Sequence, residues 1–491
     1  MKITIMKKIA ILLVAAFALL GVNTSNAQSR TSYFMEGSYF RTEFNPALTP
    51  TRGYIMIPGL SGINLNLGTN FLSLDNFIYE RNGQLVTALH SSVSAEEFIG
   101  NLPEENLKTT VGSNISLFGA GFYTKKMFWN FGANLRVDNN LVLSRNIFET
   151  VKSLGNGEHN LGSTGFNSNS YVEAYFGTSF PLLEWLTVGV KGKLLVGLAN
   201  VNAEFTDLSL ILEEDIVRAN LKGVWNANCP VIDNRILANG GDVNVADLLN
   251  TDPNYITQNF DNFGAAIDMG VEMRFLNNHL KVSAAVTDLG FIKWSSANHI
   301  GGEVTGGFEF TGVTVGAEGV NSDDIIRPTE SNGEWLNYDK GLTKGEGYPT
   351  RLTCSINVGA EYNMLKNKIA FGLFSQTKVL NTGTGSEPYS EITASVNLRP
   401  MNWLSATVSH TLLNGNGAGV FGAAINFHPA LFNFYLGVDF IDTNYVNAMA
   451  GTDQFFPIPR NAKSLNVYAG LAFNFARPKH LRPEKKSPRW K

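Results

Sequence analysis

Phe432-Asn433-Phe434-Tyr435-Leu436-Gly437-Val438-Asp439-Phe440 decides the fold class. Phe432, Phe434, Leu436, Val438 and Phe440 share one face of an extended chain, and Asn433, Tyr435, Gly437 and Asp439 share the other. Successive side chains on a strand point to opposite faces, so the stretch reads as a two-faced strand. The pattern recurs along the chain. Ala265, Ile267, Met269, Val271, Met273 and Phe275 alternate with Ala266, Asp268, Gly270, Glu272 and Arg274. Leu186, Val188, Val190 and Leu194 alternate with Thr187, Gly189, Lys191 and Lys193. Trp129, Phe131, Ala133, Leu135 and Val137 alternate with Asn130, Gly132, Asn134 and Arg136. Strands of soluble sandwiches average nearer five or six residues. These segments run to about ten, the length a tilted strand needs to cross a bilayer. The expected fold is all-β, a transmembrane antiparallel β-barrel with lipid against the apolar face and a wet or filled lumen against the other.

Connection lengths supply the strand number. Short connections recur at Thr124–Met127, Pro181–Glu184, Leu276–His279, Asn363–Lys368, Arg399–Asn402 and His428–Leu431. Those between successive pairs are longer, notably Ala199–Asp261 and Phe291–Thr350. Barrels of this kind have short turns at the periplasmic end and long loops outside. Six hairpins, a first strand at Ser61–Asn70 and a last at Ser464–Phe475 predict about 14 strands, with both termini periplasmic. Lipid offers no partner to a strand edge, so the first and last strands must pair.

The rest of the chain agrees with this class. It has 491 residues, a net charge of -4 and only 16% charged residues, below the roughly 25% of soluble domains. No basic domain precedes the last residues, which excludes a nucleic-acid partner. Cys229 and Cys354 give neither a disulfide framework nor metal-ligand spacing, and no cofactor is expected. Lys2, Lys7 and Lys8, the apolar run Ile9–Gly21 and Ser25-Asn26-Ala27 read as a signal peptide cleaved after Ala27. The expected organisation is a signal peptide at 1–27, an N-terminal hatch or periplasmic segment at 28–60, the barrel at 61–475 and a basic periplasmic tail at 476–491.

Candidate functional residues fall into three groups. The turn-forming Asn45-Pro46-Ala47 lies ahead of the first strand, in a stretch long enough to enter the lumen or to remain a tail; Arg41, Glu43 and Arg52 are candidate counter-groups for lumen charges. The inward charges are Arg136, Lys191, Lys193, Arg274 and Lys281 against Glu173, Asp268, Glu272, Glu361, Glu391 and Asp439. Their near balance points to ion pairs between strands or to a hatch rather than to ion selectivity. The tail carries Arg477, Lys479, Arg482, Lys485 and Lys486, suited to solvent, to lipid phosphates or to a periplasmic partner. No catalytic motif is present. His410 falls on the lipid face with Val408 and Leu412 beside it and no nucleophile on that face, so the protein is expected not to be an enzyme.

Three resemblances sharpen these expectations. Tyr468-Ala469-Gly470-Leu471-Ala472-Phe473-Asn474-Phe475 resembles the C-terminal signal read by the barrel-assembly machinery, although this chain continues beyond it. Asn45-Pro46-Ala47 shortly before the first of about 14 strands resembles the FadL-like outer-membrane transporters, in which that stretch belongs to a hatch inside the barrel. Asn45-Pro46-Ala47-Leu48, the segment Asp288-Leu289-Gly290-Phe291-Ile292 and the style of the signal peptide are similar to Bacteroidota outer-membrane barrels of unassigned function, relatives of PorV and PorP/SprF. The resemblance implies passive transport of a hydrophobic or amphipathic small molecule. The balanced lumen, long loops and basic tail favour instead a non-transporting scaffold or a partner in assembly or secretion. An apolar pocket lined by hatch residues would support the first, and a sealed, charge-paired lumen the second. The expected partners are outer-membrane lipid and the assembly machinery, with a hydrophobic small molecule or a periplasmic protein as the functional one.

Overall fold

The computed structural model describes residues 30–478 and 481, except 83, 105, 153–155, 213–216, 230–260, 311–314, 317–318, 321–326, 329–346, 383–384, 414–415, 442–444, 451–453, 460–463 and 476. The signal-peptide stretch and Lys479, Arg482, Lys485 and Lys486 of the tail lie outside the described residues.

Alternation closes the chain into a 14-stranded antiparallel barrel. The strands are β1 (Gly53–Met56 and Ile63–Thr69), β2 (Leu107–Thr124), β3 (Met127–Leu143), β4 (Gly157–Leu183) and β5 (Leu186–Leu212). They continue with β6 (Phe263–Phe275), β7 (Leu280–Trp294), β8 (Tyr348–Arg351 and Cys354–Met364), β9 (Ile369–Thr382) and β10 (Gly385–Met401). The circuit ends with β11 (Leu404–Leu413), β12 (Asn416–Phe427), β13 (Phe432–Ile441) and β14 (Ser464–Phe475). Each pairs with its neighbour in sequence, and β14 returns to both pieces of β1, so no edge is left open to lipid. The wall begins at Gly53, ahead of the expected Ser61, because Gly53–Met56 already pairs with Phe475–Ala472. Between Met56 and Ile63 the first strand leaves the sheet and returns. Ser61 closes this break: its Oγ donates to the Leu471 carbonyl at 2.6 Å and accepts from the Ile57 amide.

The two faces separate as alternation requires. Phe131, Phe176, Leu194, Leu373, Ile392 and Val408 point outward and are exposed, while Asn130, Asn134, Lys193, Thr393 and Ser409 are buried inside. In β13, Phe434 and Leu436 face out and Asn433, Tyr435 and Asp439 are buried. Trp129, Trp185 and Trp403 stand beside the short turns, with Trp185 stacked on Phe275 and Trp403 edge-on to Phe427. An aromatic ring at that level marks the membrane–water boundary.

Parts of the long connections are strand. β4 and β5 each run 27 residues, far beyond the span of a bilayer. The outer half of β5 pairs with Val217–Asn228, which pairs in turn with His299–Phe310. Ala199–Leu212 and Val217–Asn228 of the first long connection and His299–Phe310 of the second therefore extend the sheet above the wall. At the same end, the connection between β1 and β2 folds on its own small core of Phe71, Tyr79, Phe98 and Leu102, with Phe148 packed against it.

Candidate functional site

The site is the inner face of the barrel with the segment Arg30–Pro50 packed on it. Two short 3-10 turns, Arg30–Phe34 and Tyr39–Glu43, shape the segment, and Ser38 caps the second by accepting from the Phe40 amide at 3.2 Å. Asn45 makes the next turn: its Oδ1 accepts from the Ala47 amide at 2.8 Å, as a turn-forming Asn does. Its Nδ2 donates to the carbonyls of Val271 (3.0 Å) and Ala284 (3.3 Å), residues paired across β6 and β7. Gly189 and Gly270, paired across β5 and β6, lie directly beneath. A Cβ on Gly270 would collide with the Asn45 side chain, and one on Gly189 with the Pro46 backbone. The bare patch is what lets Asn45-Pro46-Ala47 rest on the wall.

The segment brings an aromatic core into a polar lumen. Tyr33 stacks on Phe374 at 4.1 Å and Tyr39 on Tyr54 at 4.7 Å. Phe40 lies against Tyr435 and Tyr468, the two tyrosines on the inward rows of β13 and β14. Full burial of a Phe-sized side chain contributes roughly 1.5–3 kcal/mol, so this cluster anchors the segment independently of charge.

Charge pairing supplies the remaining anchors, in three groups. In the first, Arg136 (β3), Glu173 (β4), Lys191 and Lys193 (β5) and Asp268 (β6) converge. Lys193 reaches Asp288 at 2.6 Å and Asp268 at 2.9 Å, and Arg136 reaches Asp288 at 3.2 Å. Lys191 pairs with Glu43 of the segment at 2.9 Å. In the second group, Lys281 and Glu361 meet Glu36 and Arg399, with Arg399 to Glu361 at 2.7 Å and to Glu36 at 3.5 Å. In the third, Arg30 makes a two-pronged pair with Glu391, and Thr31 donates to Asp439, which also accepts from Asn466 at 3.1 Å. Glu272 and Arg274 pair with each other toward the short-turn end. All eleven inward charges read from the sequence thus have protein partners.

Sequence reasoning missed Asp288, Glu36, Arg30 and Arg399. Alternation from Lys281 puts Asp288 on the lipid row. The structure inserts a β-bulge there, and Asp288 takes a φ of 59°, so Thr287 and Asp288 both turn inward. A bulge shifts parity by one residue, which no periodicity count detects. Of the expected counter-groups in the N-terminal stretch, Glu43 makes its pair, whereas Arg41 makes no ion pair among the described residues. His410 faces outward against Phe421, while Ser405 and Ser409 are buried on the opposite face.

A polar cavity of about 40 Å³ beside Glu43 and Arg136 lies between the segment and the wall. An apolar depression of about 580 Å³ is on the outer surface, lined by Ala360, Phe371, Leu373, Ala394 and Val408. The short-turn end opens into a vestibule of about 440 Å³, floored by Arg41, Leu48 and Pro50. At its rim, burial pushes the His428 imidazole down to about 4.

No curated protein matches the chain. Solved structures with a similar course include the P. putida toluene transporter TodX, at 8% identity over 94% of this chain and 97% of that one, with a TM-score of 0.36. A Pseudomonas aeruginosa FadL homologue covers 92% of this chain and 98% of its own at 8% identity, TM-score 0.39. The Ralstonia pickettii toluene transporter TbuX, also 8% identical, covers 88% and 92%, TM-score 0.34. At these values the likeness adds nothing to the strand pairing given above. The family model described as "Family of unknown function (DUF5723)" matches residues 46–439, most of the chain including Asn45's neighbours Pro46 and Ala47 and the charged wall residues of all three groups, and the chain belongs to that family.

Proposed function

We propose that this protein is a plugged outer-membrane barrel that serves as a scaffold for other proteins at its ends, with its short turns in the periplasm. One observation carries the reading: Arg30–Pro50 is tied to inward groups of β5, β6, β7, β10 and β13 by ion pairs and hydrogen bonds, which supports a filled lumen. A transport path for apolar molecules needs a continuous apolar cavity, and the apolar depression described lies on the lipid side. Buried pairs of this kind are costly to break singly, about 3–5 kcal/mol each, which favours a fixed plug.

A second reading, passive uptake of a hydrophobic or amphipathic small molecule through a movable hatch, is favoured by the break in β1. The Tyr39 hydroxyl donates to the Ser61 carbonyl within that break, so a shift of the segment would loosen the wall there. The test compares the full chain with a variant lacking residues 30–50, both reconstituted in planar bilayers. The full chain should show no steady conductance and the deletion frequent openings. Saturable uptake of an aromatic hydrocarbon by liposomes bearing the full chain would overturn the scaffold reading in favour of the second.

A further inference from the structure

Among the described residues, the vestibule at the short-turn end is lined by more cationic than acidic side chains. Among the described residues, its lining has seven Lys and Arg side chains against two acids, Glu36 and Glu272. Arg274, Lys281 and Arg399 are already engaged with Glu272, Glu36 and Glu361. Arg41 is different. It is 8% exposed, at the vestibule floor, where its Nε donates to the Tyr33 carbonyl at 2.7 Å and its guanidinium lies over the Tyr33 ring. The two terminal nitrogens have no hydrogen-bond partner and no ion pair among the described residues. A buried guanidinium is costly unless paired, and its planar fork matches a carboxylate. Lys366 and Lys368 add exposed charge at the rim, on the turn between β8 and β9.

We propose that this vestibule binds an acidic peptide segment of a partner protein, with one carboxylate on Arg41 and others near Lys366 and Lys368. This deepens the scaffold reading and rests on it. Three features favour a peptide. The volume of about 440 Å³ is within the range of ligand sites, roughly 300–1,000 Å³, and far exceeds a single small anion. Leu48, Met401 and Leu404 line it beside the charges, which suits mixed side chains. It also sits inside the ring of turns with the segment as floor, so it opens along the barrel axis and away from the lipid annulus. By composition the chain's own end is a poor source of counter-charge: from Arg477 to Lys491 it has seven Lys and Arg residues and one acid, Glu484.

The experiment measures fluorescence anisotropy of a labelled Glu-Leu-Glu-Leu-Glu-Glu peptide with the purified full chain in neutral detergent. A peptide with Gln in place of Glu is the control. Binding should weaken with salt, by at least tenfold in Arg41→Gln, and severalfold in the surface double variant Lys366→Glu/Lys368→Glu, which leaves the lumen untouched. Heat-modifiable mobility checks that each variant is folded. Equal binding of the Gln peptide, or unchanged affinity in the double variant, would overturn the proposal. Displacement by inorganic phosphate at equal concentration would reduce the site to a small-anion site, and displacement only by phosphatidylglycerol vesicles would make it a lipid site; either overturns the peptide assignment. Bilayer conductance separates the two readings. Peptide binding by a conducting barrel would sink the scaffold reading and leave the site, whereas no binding by a silent barrel would sink the site alone.

Discussion

At the scale of single residues, Asp288 and Gly270 have more influence than their surroundings in the sequence imply. Asp288 accepts from both Lys193 and Arg136, and its amide donates to Asp268 at 2.8 Å. Asp288→Ala leaves two buried cations with one carboxylate fewer, and should destabilise the barrel by about 3–5 kcal/mol, the cost of orphaning a buried charge. The check is the temperature at which the compact electrophoretic form is lost; a shift no larger than that of a surface mutation would contradict the assigned pairing. Gly270→Val drives a side chain into Asn45, and should cost about 1–3 kcal/mol by overpacking while loosening the segment. Gly192→Val on the same wall meets nothing within 4 Å and is the matched control. Protease cleavage within residues 30–50 should rise in the first variant and not in the second. The Asn45-Pro46-Ala47 turn was legible as a turn. Its seat on two facing glycines was not, because Gly189 and Gly270 belong to different strands, paired only through the sheet.

At the scale of elements, strand facing is the property on which the fold depends most. Leu373 stands 58% exposed on the outer row in the middle of β9. Leu373→Arg places a charge in hydrocarbon and should cost about 2–4 kcal/mol near mid-depth, whereas Leu276→Arg in a short turn should cost about 0–1 kcal/mol. Refolding yields into lipid vesicles measure the difference, and equal yields would show that the outer row is misassigned. The facing of the wall strands was readable because alternation is local to each strand. The break in β1 was not. Residues 28–60 read as a segment ahead of a first strand at Ser61, yet Gly53–Met56 belongs to the wall and both pieces meet the same two neighbours. The outer end of β5 was also read as loop, since a membrane strand needs only about ten residues and the surplus continues as sheet in water.

At the scale of the whole molecule, the barrel combines two cores of opposite kind. Outside, an apolar surface is satisfied by lipid. Inside, polar and charged side chains close on a segment whose aromatic residues make the central cluster. Folding must therefore bring Arg30–Pro50 into place before the lumen charges are all paired, since Lys191, Lys281 and Glu391 find partners on that segment. Removal of residues 30–50 should thus do more than open a pore. The deletion should also lower the thermal stability of the wall and make it depend more steeply on salt, because screening replaces lost partners. A deletion variant as stable as the full chain would mean that the wall stands by itself and the segment is a passenger.

By itself the sequence determined the class, the strand number, the faces and the near balance of inward charge. All four follow from the period-two alternation and from turn residues, which act over a few positions along the chain. Only the tertiary structure decided which charge meets which, that Asp288 turns inward, that the aromatic residues of the N-terminal segment find Phe374, Tyr435 and Tyr468, and that Arg41 lies at the vestibule floor. These contacts join residues that are far apart in the chain, such as Arg30 and Glu391, and depend on barrel closure and on one bulge. Alternation specifies a side of the wall, but ion pairing depends on height and azimuth around it, which only the closed sheet sets.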